Sequence, residues 1–139
     1  MRLQLALNVR DLDEAVRFYS KLFNTKPHKV RAGYANYSIS SPPLKLVLFE
    51  NPDAKERLNH LGVEVFRQED LAETTDRLQA NNMVEQVEIN ETCCHATQDK
   101  IWTYEPQGLH WEWYIIRDDN PEEEPFTAVS CCAGSGCDR

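Results

Sequence analysis

The stretch LALNVRDLDEAVRFYSKLF (residues 5–23) decides the fold class, because the spacing of its apolar residues changes halfway along. Up to Val9, apolar residues alternate with other residues, as in a half-buried strand. From Leu12 onward they recur three and four residues apart, as on one face of a helix. Asp11 stands at the junction, where its carboxylate can cap the helix N-terminus. The stretch therefore predicts a strand followed directly by an amphipathic helix.

The segments around this unit predict an α+β domain in which one unit occurs twice. Two more strands are predicted at 34–40 and 44–50, with a short additional strand near 28–31. The order then recurs as a strand at 58–66, a helix at 69–82, and strands at 84–90, 100–105 and 110–116. The chain is therefore predicted to contain two βαβββ modules, at about 1–50 and 57–117.

The composition excludes several functional classes. The chain has 139 residues and a formal net charge of −8, whereas a nucleic-acid or anionic-membrane binder needs a basic face. No apolar run approaches the roughly 20 residues that span a bilayer, and the N-terminus lacks the apolar core of a signal peptide. We therefore expect a cytoplasmic protein. Residues 118–139, acidic and then rich in cysteine, are expected to form a flexible tail outside the core.

The five cysteines indicate soft-ion chemistry more than a disulfide framework. They are Cys93, Cys94, Cys131, Cys132 and Cys137, and none lies in the first 92 residues. Such clustering cannot staple distant segments, and thiols in the cytoplasm rest reduced. Reduced, paired thiolates suit soft ions. Adjacent strand residues point to opposite faces, so Cys93 and Cys94 need a turn or bulge to act together. The alternative is that one is a small buried hydrophobe and the other is incidental.

Several phrases of the sequence resemble a known superfamily. Paired modules opened by LALNVRDLDEAVRFYSKLF and by LNHLGVEV (58–65) resemble the vicinal oxygen chelate superfamily, which includes glyoxalase I, bleomycin-resistance proteins and extradiol dioxygenases. GYANYSISSPPLKLVLFENP (33–52) and TCCHATQDKIW (92–102) resemble, more specifically, the ArsI-type carbon–arsenic lyases and the similar cadmium-induced CadI proteins. The resemblance implies a glyoxalase-like fold, a cupped mixed sheet around a metal site.

The resemblance also implies an activity. It is that of a mononuclear non-haem Fe(II) enzyme that uses O2 as co-substrate. Such an enzyme cleaves the C–As bond of trivalent organoarsenicals, such as methylarsonous acid and reduced aromatic arsenicals, and releases arsenite. Cys93 and Cys94 would then bind the trivalent arsenical. Cys131, Cys132 and Cys137 would capture arsenic or form an incidental tail.

The superfamily takes its metal ligands from the first and last strands of each module. This implies Gln4, His60 and Glu112 as ligands, with the repeat equivalent of Glu112 near Leu46. Leucine cannot ligate, so the fourth ligand of a glyoxalase is expected to be missing, leaving positions for substrate and O2. Gln4 departs from the usual two-His, one-carboxylate set for non-haem iron. Without the resemblance, Gln4 would be interpreted as surface polarity and His60 as a structural residue.

Aromatic residues, a lysine and two histidines are further candidates around the site. Candidates for its lining are Tyr34, Tyr37, Lys100, Trp102 and Tyr104, although aromatic residues in strands more often form plain core. His95 and His110 are alternative ligands or proton carriers, and His28 is expected at the surface.

Two alternatives to the lyase remain at this point. One is a CadI-like protein that binds Cd(II) or As(III) through its thiols without turnover. The other, a glyoxalase, is disfavoured by the missing carboxylate. The resemblance leaves a homodimer open.

Overall fold

The computed structural model describes residues 1–121, so the cysteines at 131, 132 and 137 lie outside the described residues. In this part of the chain no helix is long and apolar enough to cross a membrane. The elements in chain order are β1 (Arg2–Val9), α1 (Leu12–Leu22), β2 (Lys29–Arg31), β3 (Tyr34–Ser40), β4 (Pro43–Glu50), β5 (Leu58–Glu64), α2 (Gln68–Ala80), β6 (Gln86–Cys93), β7 (Ala96–Tyr104) and β8 (His110–Asp118).

The strands form one curled, mixed sheet in the order β2-β3-β4-β1-β5-β8-β7-β6. The two first strands, β1 and β5, pair antiparallel at its centre and join the modules. Each also pairs in parallel with the last strand of its own module, β1 with β4 and β5 with β8. The order of elements confirms the predicted α+β arrangement of two βαβββ units.

Both helices cover the same face of the sheet and leave the other face for a site. Asp11 caps α1 as the sequence predicts, because its Oδ1 accepts a hydrogen bond from the Glu14 amide at 2.8 Å. The apolar side of α1 packs on a cluster that includes Leu46 and Leu48. A second cluster under α2 contains Leu71, Leu78 and apolar residues of the second module. Burial of these two clusters supplies the main stabilisation of the fold.

The strand ends differ from the predicted ones around the paired cysteines. β6 runs to Cys93 and β7 starts at Ala96, whereas strands were expected to end at 90 and to begin at 100. The reason is that a tight hairpin turn joins the two strands. Asn90, with a φ of 54°, marks an irregularity in the β6–β7 register and interrupts the strand that the sequence predicts.

The core also extends further towards the C-terminus than expected. β8 reaches Asp118, and Asp119 Oδ1 accepts from the buried Lys29 Nζ at 3.1 Å. The exposed His28, placed at the surface as predicted, contacts Asp119 Oδ2 through Nε2 at 2.7 Å. The tail predicted from residue 118 onward lies mostly outside the described residues, and the part up to Asp119 contacts the core. These contacts tie β2 to the segment after β8.

The core under α1 gives the first prediction. Leu48 is fully buried, so Leu48→Ala should lower the free energy of unfolding by about 2–5 kcal/mol, through lost transfer energy and a cavity. The matched control Ile89→Ala removes an exposed side chain and should change it by less than about 0.5 kcal/mol. Urea unfolding followed by circular dichroism measures both. Equal losses would contradict the assignment of this cluster as the core.

Candidate functional site

A cleft occupies the concave face of the sheet, opposite the helices. Side chains of β4 alternate between the faces, so Lys45 and Val47 line the cleft whereas Leu46 and Leu48 pack under α1. The cleft encloses about 560 Å³, open solvent at its mouth included. Its walls come from both modules, which makes the module junction the place to look for chemistry.

Three predicted ligands meet at the floor of this cleft. Gln4, His60 and Glu112 lie on β1, β5 and β8, and all are buried. His60 Nε2 lies 3.1 Å from Glu112 Oε1 and 3.1 Å from Gln4 Nε2, and Gln4 Nε2 donates to Glu112 Oε1 at 2.5 Å. Residues 108 positions apart in sequence thus place their polar atoms in one cluster.

Gly62 makes this meeting possible. It lies between β1 and β8, opposite Gln4 on one side and Glu112 on the other. A Cβ at this position would lie 2.9 Å from Glu112 Cγ and 3.2 Å from Gln4 Nε2. Any side chain would therefore push the two polar groups apart. This residue had no role in the sequence interpretation, because only the register reveals what faces it.

A chain of amide hydrogen bonds fixes which nitrogen of His60 carries its proton. Asn8 Nδ2 donates to the Glu56 carbonyl at 3.0 Å, and Asn8 Oδ1 accepts from Asn59 Nδ2 at 3.0 Å. Asn59 Oδ1 then accepts from His60 Nδ1 at 2.7 Å. The neutral ring therefore directs its Nε2 lone pair at the Glu112 carboxylate. Gln4 Nε2, 3.1 Å from His60 Nε2, can donate to this lone pair. The orientation is also that of metal-binding histidines, whose other ring nitrogen is held by a hydrogen bond.

The donor set fits a divalent metal ion. Neighbouring ligands on an octahedral ion with bonds of about 2.1 Å lie about 3 Å apart, close to the 3.1 Å between His60 Nε2 and Glu112 Oε1. In residues 1–121 no group of three or more His, Cys, Asp or Glu side chains is placed to hold an ion. The third donor would therefore be Gln4, which can bind a metal ion only through its amide oxygen. Gln4 Oε1 accepts from Tyr114 Oη at 2.5 Å while Nε2 faces the cluster, so the amide would have to turn over to ligate.

Lys100 controls the charge of this cluster. Its Nζ lies 3.7 Å from Glu112 Oε2 and 3.7 Å from Glu88 Oε2. Burial raises the pKa of Glu112, but the Lys100 charge and the hydrogen bond from Gln4 oppose it, and the pKa lies below its usual value. Burial likewise lowers the pKa of Lys100, but the charges of Glu112 and the paired cysteines raise it above its usual value. The carboxylate and the ammonium therefore remain ionised together.

The paired cysteines face the same cleft because they lie at a tight turn. Cys93 pairs with Ala96, so Cys94 and His95 are the two turn residues, with φ of 54° and 64°. Two left-handed residues make a type I′ turn, which normally favours Asn and Gly. The turn overcomes the strand alternation and brings the two Sγ atoms to 3.0 Å. Lys29 Nζ donates to the His95 carbonyl at 2.8 Å and ties the turn to β2.

Backbone in this conformation is unfavourable for Cys and His. Non-glycine residues in left-handed conformations cost of order 1 kcal/mol or more each, and such strain clusters at functional sites. The thiols and the three-residue cluster line one cleft, so the strained turn lies at the candidate functional site. The sequence predicts a turn or bulge at INET (residues 89–92). The structure has a bulge there, and the turn itself is formed by Cys94 and His95.

The structure divides the candidates for the cleft lining. Tyr34, Lys100 and Trp102 line it, and the Trp102 ring lies 5.3 Å from that of His60. In the described part of the chain Tyr37 and Tyr104 do not. Strand alternation points Tyr37 to the helix side, where its hydroxyl donates to the Val16 carbonyl at 3.0 Å.

Three of the candidate residues with rings, Tyr104, His110 and His95, are not among the described residues that line the cleft. Tyr104 stacks on His110, with ring centroids 4.1 Å apart. The ring of His95, which is itself one of the two turn residues, has its centroid 5.3 Å from that of the Tyr34 ring. Neither histidine is among the described residues that line the cleft, so their proposed role as alternative ligands has no geometric support.

The strand register also corrects the position of the missing fourth ligand. Gly62 pairs with Glu112 in β5–β8, and its repeat equivalent Ala6 pairs with Val47 in β1–β4. The equivalent of Glu112 is therefore Val47 and not Leu46, because a shift by one residue changes the face of the sheet. The chemical conclusion is unchanged, since valine cannot ligate either.

Comparisons with known proteins agree with this fold. The profile of the Glyoxalase/Bleomycin resistance protein/Dioxygenase superfamily matches residues 3–113. The Mn(II)-bound glyoxalase from Novosphingobium aromaticivorans superposes with a TM-score of 0.60 at 15% identity, covering 88% of this chain and 41% of that one. At that identity the likeness concerns the fold alone.

Two curated proteins are much closer in sequence. The cadmium-induced protein CadI of Mycobacterium tuberculosis strain H37Rv is 51% identical over 119 residues, 86% of this chain and 78% of that protein. The trivalent organoarsenical cleaving enzyme of Thermomonospora curvata is 44% identical over 132 residues, 94% of this chain and 87% of that protein.

The close approach at Gly62 gives a prediction about metal binding. Gly62→Ala should weaken the binding of Mn(II) or Co(II) by about 10–100-fold, because the methyl group displaces Gln4 and Glu112. Gly33→Ala is the control. It meets nothing within 4 Å but strains a backbone with φ of 71°, so it should lower stability and leave metal affinity unchanged. Calorimetric titration measures affinity, and unchanged binding in Gly62→Ala would refute the cluster as the metal site.

The charge of Lys100 gives a prediction about the thiols. Lys100→Met removes a cation that favours thiolates at Cys93 and Cys94, so their alkylation by iodoacetamide at pH 7 should slow about threefold to tenfold. Peptide mass mapping after timed quenching reads these two cysteines separately from the others. Lys55→Met, at an exposed position, should leave the rate unchanged. Equal rates in all three proteins would contradict this influence of Lys100.

Proposed function

The chain belongs to the Glyoxalase/Bleomycin resistance protein/Dioxygenase superfamily, and we propose that within it the protein is an Fe(II)- and O2-dependent carbon–arsenic lyase for trivalent organoarsenicals. The observation that carries the proposal is that vicinal thiols and a three-donor metal cluster line one cleft. Relatives named as trivalent organoarsenical cleaving enzymes support it.

The thiols bind the substrate in this proposal. Trivalent arsenic is soft and prefers thiolate ligands. Cys93 and Cys94 hold their sulfurs 3.0 Å apart, so both can bind one arsenic atom without a change of turn. The third substituent of that arsenic, the organic group, then extends into the cleft between Tyr34 and Trp102. Because the thiols rest reduced in the cytoplasm, we also propose that the protein acts there.

Gln4, His60 and Glu112 would hold the iron. Bound Fe(II) would supply O2 activation beside the arsenical. Three protein donors leave coordination positions open, and Val47 adds none where a fourth donor could stand. Lys100 keeps Glu112 ionised and lies near the thiolates, so the substrate and the metal site share one compensating cation. The cleft would hold the arsenical beside the metal ion, and such proximity accounts for a large part of the rate enhancement of a reaction between bound groups.

The reaction balances for the simplest substrate. Methylarsonous acid and one O2 contain the atoms of arsenous acid and formaldehyde, with no other reactant. The O–O bond, the C–As bond and one methyl C–H bond break, while a C=O double bond, an As–O bond and the O–H bond of the new arsenic hydroxyl form. The methyl carbon is oxidised and arsenic stays trivalent. O2 accepts the four electrons that the carbon loses.

A second candidate is a thiol-based binding protein for Cd(II) or As(III) without turnover. The observation that favours it is the 51% identity to CadI, which exceeds the identity to the organoarsenical cleaving enzymes. In such a protein the paired thiols would matter, whereas Gln4, His60 and Glu112 would be dispensable.

One experiment separates the two candidates. The protein is loaded with Fe(II) anaerobically, given methylarsonous acid and then exposed to air while O2 uptake and arsenite are followed. We expect about one O2 consumed per arsenite, with formaldehyde as co-product. Cys93→Ser and Glu112→Ala should each lower the rate at least about a hundredfold, since one removes a substrate ligand and the other a metal ligand.

The control variant is Glu85→Ala, which removes an exposed carboxylate and should retain the full rate. Tight arsenic binding to the iron-loaded protein with no arsenite released would refute the lyase and favour sequestration. Arsenite release that survives Glu112→Ala would refute the proposed metal site.

A further inference from the structure

Two polar groups in the cleft are left unused by the metal cluster and by the thiols. They are the Lys45 ammonium on β4 and the Asn36 amide oxygen on β3, and both line the cleft. The residues are 5% and 2% exposed. Burying a polar atom without a partner is costly, so the fully buried Asn36 Oδ1 requires an explanation, and the Lys45 ammonium is the cation that faces the same cleft.

Within residues 1–121 the Lys45 ammonium makes no hydrogen bond or ion pair, and its Nζ is not among the fully buried atoms, so it is accessible from the open cleft. The carboxylates whose charges reach it are engaged elsewhere: Glu64 pairs with Arg2, and Asp119 pairs with Lys29. Burial lowers the pKa of Lys45 despite these carboxylates, as expected of a cation that the cleft does not compensate. An oxygen acceptor from a ligand would supply the missing partner.

Asn36 presents an acceptor to the same space. Its Nδ2 donates to Tyr34 Oη at 2.8 Å, and its Oδ1 is buried with no partner in the described residues. Asn36 pairs with Val47 in β3–β4, two residues along from Lys45 on the same face. Their Cα atoms are therefore diagonal neighbours about 7–8 Å apart, within reach of a long lysine side chain.

Val47 lies between them and provides an apolar floor. It packs with Tyr34 and Phe49, so the wall has an apolar centre and two polar ends. Val47 is the repeat equivalent of Glu112. Because valine is not a ligand, space is left at this position for a substituent of the substrate. Lys45 pairs directly with Gln4 in the parallel β1–β4 pair, so this wall begins beside the metal cluster.

We propose that Lys45 and Asn36 form a specificity subsite for a hydroxyl group on the aromatic ring of an aryl arsenical. A hydroxyl accepts a hydrogen bond from the Lys45 ammonium and donates one to Asn36 Oδ1, so it satisfies both groups. A carboxylate would satisfy Lys45 but place its lone pairs against Asn36 Oδ1, and a methyl group would satisfy neither. The inference rests on the proposed arsenical substrate and specifies its class.

The test compares ligands that differ only in this group. The metal-loaded protein, kept free of O2 so that no turnover occurs, is titrated calorimetrically with phenylarsonous acid and with its 3-hydroxy, 4-hydroxy and 4-carboxy analogues. At least one isomer should bind about tenfold or more tightly than the parent, since hydrogen bonds to charged groups are strong. Lys45→Met should abolish this gain and leave the affinity for the parent unchanged.

Two further variants control the comparison. Lys26→Met removes an exposed lysine and should keep the gain, and Lys45→Arg, which retains a cation, should keep part of it. Thermal unfolding establishes that each variant is folded. No gain for either isomer, or a gain that persists in Lys45→Met, would overturn the inference. A gain only for the 4-carboxyphenyl analogue would show that Asn36 presents its amide nitrogen and would overturn it too.

The outcome is separable from that of the proposed function. A protein that releases arsenite but binds all the aryl ligands equally retains the lyase proposal and loses this subsite. A protein with the Lys45-dependent gain but no arsenite release retains the subsite and loses the lyase proposal.

Discussion

The site depends on the antiparallel pairing of β1 and β5 at the centre of the sheet. This pairing sets Gly62 opposite Gln4, while the parallel pairing of β5 with β8 sets Gly62 opposite Glu112. Only the missing Cβ lets the two polar side chains meet across β5. One register thus determines both the junction of the modules and the geometry of the cluster. A slip by one residue would turn Gln4 and His60 to the helix side.

Polar groups buried this deeply need hydrogen-bond partners, and in this cluster each group receives its partner from a different part of the chain. The amide relay through Asn8 and Asn59 consumes the Nδ1 proton of His60, and Tyr114 consumes one end of the Gln4 amide. The groups that face the centre of the cluster are His60 Nε2, the Gln4 amide nitrogen and the Glu112 carboxylate. Lys100 compensates the carboxylate from one side only. The Gln4 amide nitrogen, 2.5 Å from Glu112 Oε1 and 3.1 Å from His60 Nε2, closes this cluster with internal hydrogen bonds. A metal ion would take the place of those N–H groups once the amide turned its oxygen inward.

The fold could be predicted from the sequence because its periodicities are local. The change of period after Val9, the Asp11 cap and the repeat of strand and helix signals in the second half are properties of neighbouring residues. The vicinal cysteines could be singled out for the same reason. Gly62, Asn59, Asn36 and Lys45 could not, because their roles come from strand register and from contacts between distant segments. The sequence repeat places the equivalent of Glu112 near Leu46 and not at Val47, because a one-residue uncertainty in register reverses the face of a strand.

The two modules have diverged in charge while keeping one topology. The second module supplies His60, Glu112, Lys100 and the thiol turn, whereas the first supplies Gln4 and an uncharged floor at Val47. Two equivalent carboxylates facing one metal ion would fill its coordination shell and add negative charge beside thiolates. A valine at this position avoids that repulsion and leaves a wall on which Asn36 Oδ1 and the Lys45 ammonium have no partner among the described residues. In the proposed function, this asymmetry between the modules gives the cleft separate places for the metal ion, the arsenic and the organic group.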